Sequence, residues 1–408
     1  MYRSDIPSYA ELIVKSLNLD PGQSLLIKSE PVHWPLINQV AREAYRRGAR
    51  FVQVDSEHGE LYKARIECSR AEFLSYQPRF ETTRYSEMIE DGWALVSIKN
   101  PDDPDLLAGM DAARNLTARK TLLEIQHPWR KQMQSDRFPW VVVAAPTPRW
   151  AAKILGSAAD EGSVDDLWRI MKPILRLDQA DPYQAWVSNS NRLAERAQKL
   201  DLLKVSQLIF EGPGTDLTLD LSPQARWIGG SAETPDGRRF FPNIPTEEVF
   251  TAPDAGSTRG TVRVTRPVMV MGELVDNARF RFEQGRVVEF EADRGRDALA
   301  AFLDADDGSR SVGEIALVDV ESPIFQSRTV FYNILYDENA ACHFALGSAY
   351  PGCIDGYQQL SESRRRELGI NESTQHTDFM FGSEELTVRA RGYNGEHFEV
   401  MRQGSFAL

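Results

Sequence analysis

Glu248, Glu314, His343, Tyr350, His376 and Asp378 stand in the second half of the chain, each inside an unusual local sequence and each able to offer an oxygen or nitrogen to a metal. Imidazole mixed with carboxylate, without thiolate, is what zinc, cobalt or manganese accepts where a site must activate water. Two carboxylate-rich ligand sets of this kind suit a pair of divalent ions. The chemistry they imply is metal-dependent hydrolysis, of peptide bonds above all.

The local sequences carry this reading unequally. His376-Thr377-Asp378 runs into Phe379-Met380-Phe381-Gly382, and on a strand residues two apart share a face, so one short segment can present imidazole and carboxylate together. An HxD triplet alone is a weak signal, and a hydrogen-bonded surface histidine is its plain alternative. The segment 337–347 reads as a short helix with Asn339 as N-cap and Gly347 as terminator, carrying His343 and leaving Tyr350 just beyond. A satisfied core histidine and a packed tyrosine are the competing readings there. On such a helix Cys342 points elsewhere and counts as packing. Glu314 opens the apolar run Ile315-Ala316-Leu317-Val318, where a partly buried acid needs a cation or donors; an exposed strand end is the alternative. Glu247 and Glu248 are adjacent in an extended run bounded by prolines, so only one can face inward, and the residues do not choose between them.

These groups need elements to hold them. In the first half, apolar runs at 24–28, 51–55, 94–98, 121–125 and 140–145 alternate with helical stretches such as 33–48, a β-then-α order that predicts a parallel sheet flanked by helices. A helix over 181–203 leads out of this part. Beyond about residue 204 the texture becomes short Val-, Leu-, Phe- and Thr-rich segments between turns, at 216–221, 260–264, 279–282, 287–291 and 386–391. The expectation is an α/β domain over 1–200 and a β-rich, antiparallel, barrel-like α+β domain over 201–408 that carries the metal ligands.

A chain of 408 residues is long enough for two cores. With 47 Lys and Arg against 60 Asp and Glu, its formal net charge is -13, which argues against nucleic-acid or anionic-membrane partners. No apolar run approaches the roughly 18 residues of a membrane span. Cys68, Cys342 and Cys353 form no CxxC pair, so structural disulfides and a thiolate zinc site are not expected, and a reducing cytoplasm fits. Arg364-Arg365-Arg366 reads as a solvated helix face.

In combination the motifs resemble one family. NIPTEEVFTAP at 243–253, GEIAL at 313–317, DENAACHFALGSAY at 337–350 and the N-x-S-x-x-H-x-D-F-M pattern from Asn371 to Met380 are similar to the aminopeptidase T and aminopeptidase S (PepS-like) metallopeptidases. FEGPGTDLTLDL at 210–221 and the Trp227-Ile228-Gly229-Gly230 segment agree, and the resemblance spans essentially the whole chain. It implies a homodimeric exopeptidase acting on peptides with a free N-terminus through two divalent ions. Its ligand set falls on Glu248, Glu314, His343, Tyr350, His376 and Asp378, which resolves the adjacent acids in favour of Glu248. Glu314 is a sensible carboxylate to bridge ions about 3.5 to 4 Å apart. Glu247 and Tyr332 are candidates for a proton-accepting role.

Two other functions compete. His343, His376 and Asp378 alone would make the triad of a mononuclear non-haem iron enzyme, and a ring-cleaving dioxygenase of the dihydroxypyridine type looks related to this family; Glu248, Glu314 and Tyr350 are surplus to such a site. A binding protein with purely structural ions is disfavoured because closed structural zinc sites usually use cysteine.

Overall fold

The computed structural model describes residues 1–100, 102–103, 105–107 and 109–408. The chain forms two compact units, 1–185 with 231–244, and 186–230 with 245–408.

The first unit is built on a parallel sheet in which Leu25–Ser29 lies between Val52–Ser56 and Ala94–Ile98, and Trp140–Val143 pairs beyond Ala94–Ile98. Helices cover a parallel sheet, so its inner strands read as unbroken apolar runs; Ala94–Ile98 is buried at every position. Helix Trp34–Arg46 turns Leu36, Ile37, Val40 and Ala44 inward at helical spacing. One expected strand is absent: residues 121–125 lie inside the helix Ala112–Gln134. Thr-Leu-Leu-Glu-Ile is strand-like in a five-residue window, but the Asp111 side chain caps the backbone N–H of Arg114. Alanines, arginines and lysines then propagate the helix through the window. The excursion 231–244 completes this unit, with the N–H of Val142 donating to the Pro242 carbonyl and the N–H of Ile244 to the Val142 carbonyl.

In the second unit, two antiparallel sheets share one core. The larger has eight strands, from Arg286–Glu291 at one edge to Ser405–Phe406 at the other. The smaller has five, in the order His376–Met380, His343–Gly347, Val312–Val318, Glu248–Thr251, Ile228–Gly229. Phe280 and Phe282 of the larger sheet meet Phe344 and Phe379 of the smaller with ring centroids 5.1 to 5.9 Å apart. Aromatic pairs at such separations contribute beyond their buried area. Val249, Ile315, Leu317 and Leu346 fill the same core, which helix Pro182–Leu202 seals with Leu193, Ala197 and Leu200.

Arg364, Arg365 and Arg366 lie on the short helix Glu362–Glu367 and pair with Glu367, Glu372 and Glu362. Arg364 and Arg366 lie on the solvated face expected of them, whereas Arg365 is partly buried, its guanidinium 4.2 Å from the centre of the Tyr357 ring.

Phe344 is fully buried against Phe280, Phe282 and Phe379. Phe344→Ala should cost about 3–5 kcal/mol of stability, read as a lowered denaturant midpoint; a shift worth under about 1 kcal/mol would mean that this ring cluster does not hold the sheets together.

Candidate metal centre

The five-stranded sheet has two unlike faces. Opposite residues in a ladder share a face, and the register sets Glu314 opposite Ala345 and Ala345 opposite Asp378. Ala316 stands opposite His343, Gly347 opposite His376, and Glu248 opposite Val318. Glu248, Glu314, His343, His376 and Asp378 therefore all stand on one face, while Ile315, Leu317, Phe344, Leu346 and Phe379 point into the core. Small residues make room: Glu314 and Asp378, two strand spacings or about 9.5 Å apart at the backbone, converge over the methyl of Ala345.

A bulge produces this sorting. Val312 pairs with Leu346 and Glu314 with Ala345, so Gly313 is an extra residue that shifts the strand's phase. In regular alternation Glu314 would share the apolar face with Val312; the bulge puts the two on opposite faces. A Cβ on Gly313 would overlap the Gly347 carbonyl. Across the ladder the Asn371 amide donates to the carbonyls of Gly347 at 2.6 Å and Gly308 at 2.8 Å. Ser373 and Thr374 donate to Asp306. The asparagine and serine that precede His376 are thus structural, holding the loop that feeds the imidazole into its strand.

The histidines are oriented by backbone carbonyls. His343 Nδ1 lies 3.1 Å from the Ala341 oxygen and His376 Nδ1 2.8 Å from the Ser348 oxygen. Carbonyls only accept, so each Nδ1 carries a proton and each Nε2 is left for the site. His343 Nε2 faces Glu248 Oε2 at 3.2 Å and Glu314 Oε1 at 3.7 Å. His376 Nε2 faces Asp378 Oδ1 at 3.5 Å and Glu314 Oε2 at 4.0 Å. Two groups result, Glu248 with Glu314 and His343, and Glu314 with His376 and Asp378, the ligand atoms of each lying within 4.8 Å of one another. Glu314 belongs to both, one oxygen turned to each imidazole.

This donor set fits cations. Glu248 Oε2 is buried without a hydrogen-bond partner, and two imidazole lone pairs aimed at carboxylates repel them unless a proton or metal intervenes. Protons intervene when no metal does. Burial alone would depress His343, but the carboxylates of Glu248 and Glu314 facing its Nε2 outweigh it and hold the imidazole well above its usual range. For His376 burial is likewise overcome by the charge and hydrogen bond of Asp378 and the charge of Glu314, pushing it up to about 10. Burial raises Glu314, whereas for Asp378 the neighbouring His376 charge wins over burial and lowers it.

Comparison with known proteins identifies what this arrangement belongs to. The family model described as thermophilic metalloprotease (M29) matches residues 2–406. The chain belongs to the M29 peptidase family. It is 39% identical over 408 residues to aminopeptidase 2 of Geobacillus stearothermophilus, covering 100% of this chain and 98% of the relative. Aminopeptidase PepS of Streptococcus thermophilus is 30% identical, with 100% and 99% covered. The structure of wild-type AmpT from Thermus thermophilus superposes with a TM-score of 0.92 at 32% identity, over 100% of both chains. The M29 chain described here is accordingly a metal-dependent aminopeptidase, a hydrolase acting on peptides. Nothing in these comparisons supports a ring-cleaving dioxygenase.

Within this M29 fold, His343 begins the strand His343–Gly347 and is not on a helix. The helical turns stop earlier, at Ile334–Asp337 and Glu338–Ala340. Ala-Ala-Cys-His-Phe-Ala-Leu is helix-compatible, but both neighbouring strands offer it ladder partners, and tertiary pairing overrides propensity. Asn339 therefore caps no helix over 337–347. Cys342 is buried packing, 3.6 Å from the sulfur of Met401.

Tyr350 follows this strand and sets its ring edge-on to Phe250 at 5.8 Å. Phe250, two residues after Glu248, shares the ligand-bearing face. Glu247 is buried at 3% exposure and lies 3.4 Å from Arg192. Tyr332 occupies a left-handed turn that the Asp337 carboxylate organises through the backbone N–H groups of Phe331 and Asn333. The residue that the sequence reading missed is Glu338. Burial, then the charges of Glu248 and Asp378, push its carboxyl well above the usual range, with Glu314 adding to them. Its signal was available: Asp337-Glu338-Asn339 interrupts an otherwise apolar stretch, and such a polar run needs a use.

Gly313→Ala should force the Gly347 strand away and pull Glu314 out of register. Elemental analysis of the purified protein should then show loss of bound metal together with peptidase activity. Full metal content and full activity in this variant would mean that the bulge does not set the position of Glu314.

Proposed function

We propose that the protein removes N-terminal residues from peptides with two divalent ions, one held by Glu248, Glu314 and His343 and the other by Glu314, His376 and Asp378. The observation that carries this reading is the division of the Glu314 carboxylate, with one oxygen toward each imidazole. Tyr350 stands at the rim as a further ligand to the pair, and the ligand chemistry suits zinc, cobalt or manganese. When bound, such ions supply Lewis-acid polarisation of the scissile carbonyl and a water of lowered pKa.

The chain's own residues do the rest. Glu314 holds the two halves of the site in one geometry. His343 and His376, anchored through Nδ1 to backbone carbonyls, keep Nε2 directed inward. Glu338, which shares the electrostatic field of Glu248, Asp378, His343 and Glu314, takes the proton from the attacking water and returns it to the leaving amine. Its elevated pKa in the cation-free site falls toward the working range once positive charge is added. Glu247, engaged by Arg192, supports the strand that carries Glu248.

Helices of the first unit and the segment joining two of them leave Leu61, Phe73, Tyr76, Phe80 and Leu116 between 56% and 70% exposed. Apolar surface of this kind supports a homodimer, and a monomeric mass in light scattering at working concentration would overturn it. Among the described residues, no helix is long and apolar enough to cross a membrane. Three free cysteines suit the reducing cytoplasm as its compartment.

Chelation should abolish hydrolysis of an unblocked amino-acid anilide, and zinc, cobalt or manganese should restore it with two ions per chain. N-acetylation of the substrate should prevent cleavage. A single bound iron with oxygen consumption, or efficient cutting of acetylated peptides, would each sink the two-metal aminopeptidase reading.

Metal binding should also be proton-coupled. A histidine pKa raised to about 10 means that the metal-free site keeps the His376 proton at neutral pH, so metal must displace it. Apparent affinity should rise with pH until that value is passed, because fewer protons then compete. Calorimetric titrations in buffers of differing ionisation enthalpy should report net proton release at neutral pH; no release would mean that the ligands are already deprotonated.

A further inference from the structure

The residues around Asn339 point to a role that the ligand set does not include. Asn339 is fully buried, and its carboxamide makes three hydrogen bonds. Oδ1 accepts from the backbone N–H of Glu247 at 2.7 Å, and Nδ2 donates to the Leu335 carbonyl at 3.0 Å and to Glu338 Oε1 at 3.3 Å. The orientation of the amide is forced, since an N–H can be met only by the oxygen and the two acceptors only by the nitrogen.

The peptide unit that Asn339 holds is the one between Thr246 and Glu247, one residue short of Glu248. The other side of the same peptide is also held, because Asn189 Nδ2 donates to the Thr246 carbonyl at 3.0 Å. Helix Pro182–Leu202 and the 338–340 turn therefore grip one peptide plane from opposite sides. A plane fixed at both its C=O and its N–H anchors the chain at Glu247, and the next residue, Glu248, enters the ladder opposite Val318. The second arm of the Asn339 amide reaches Glu338. One buried side chain thus ties the backbone at Glu247, next to Glu248, to the Glu338 carboxylate.

We infer that Asn339 is a positioning residue that fixes Glu338 and Glu248 relative to each other, so that proton transfer and ligand geometry are set by one amide. The inference rests on the two-metal reading above, and it separates two functions of one side chain. The Oδ1 arm serves the ligand strand and so metal affinity. The Nδ2 arm serves Glu338 and so turnover. Supporting hydrogen bonds of this kind are worth about 10–100-fold in metal affinity or activity.

Two substitutions divide the arms. Asn339→Asp keeps an acceptor for the Glu247 N–H but turns an oxygen toward Glu338 and the Leu335 carbonyl. Asn339→Ala removes both arms. In the metal-loaded protein at alkaline pH, where the new carboxyl is ionised, Asn339→Asp should lower kcat by about 10–100-fold. KM and the calorimetric metal affinity should stay within about threefold, less than one such hydrogen bond is worth. Asn339→Ala should lower kcat and, in addition, weaken one of the two metal sites by about tenfold or more. In a Glu338→Gln background the Asn339→Asp change should cost less than about threefold in kcat, because its target is already gone. The inference is overturned if Asn339→Asp keeps wild-type kcat. It is also overturned if both variants lower kcat, metal affinity and melting temperature in parallel, or if the Asp substitution costs as much with Glu338→Gln as without it. A wild-type protein that binds fewer than two ions or cleaves no unblocked anilide would instead sink the two-metal reading, before any variant is compared.

Discussion

Three carboxylates buried together on one sheet face are the constraint around which the second unit is arranged. Glu248, Glu314 and Asp378 each keep under a tenth of their surface exposed, at 7%, 7% and 6%. Removing even one ionised carboxylate from water costs more than a domain's net stability unless it is paired. Two imidazoles offset this in part, by holding protons they would otherwise release. Cations offset it fully, and that makes the site a sink for divalent metal and couples its occupancy to the stability of the folded state. A sheet carrying such mutual repulsion on one side must be held firmly from the other.

The holding comes from the same strands. Val249, Ile315, Phe344 and Phe379 lie directly after Glu248, Glu314, His343 and Asp378, so each of these four side chains is followed by a residue anchored in the shared core. The aromatic cluster of Phe280, Phe282, Phe344 and Phe379 makes the five-stranded sheet a stiff plate against the eight-stranded one. Hydrogen bonds then finish the alignment where apolar packing cannot. Asn371 grips the carbonyls beside the bulge, Asn189 and Asn339 grip the peptide between Thr246 and Glu247, and the Ala341 and Ser348 carbonyls turn the imidazoles. Each of these partners is backbone on at least one side, so the ligand geometry is tied to the ladder itself and not to mobile side chains.

Much of this was legible residue by residue. The inner parallel strand Ala94–Ile98 appears as an apolar run because it is buried at every position, and antiparallel strands such as Thr215–Asp220 and Thr387–Gly392 appear as alternating ones because one face is less buried than the other. Where the reading failed, the failure was local. Residues 121–125 look like a strand until the N-cap at Asp111 and the long helical run around them are weighed. Residues 343–347 look helical because alanine, leucine and cysteine say nothing about the two strands waiting on either side. Glu338 was passed over because its use depends on what faces it, and none of its facing groups is near it in sequence except His343. The return of 231–244 to the first unit has no marker in composition at all.

The sequence by itself supplied the chemistry: imidazole and carboxylate without thiolate, in motifs whose combination resembles one metallopeptidase family, and an HxD pair that any strand would place on one face. Only the tertiary structure decided how those groups meet. Glu314 could have pointed into the core; a single extra residue, Gly313, turns it to the other face, and side-chain direction in a strand reverses with every one-residue slip. The division of its two oxygens between His343 and His376 follows from strands that are remote in the chain and adjacent in the sheet. Residue types set which ions can be bound, and register, which no local run of residues specifies, sets where.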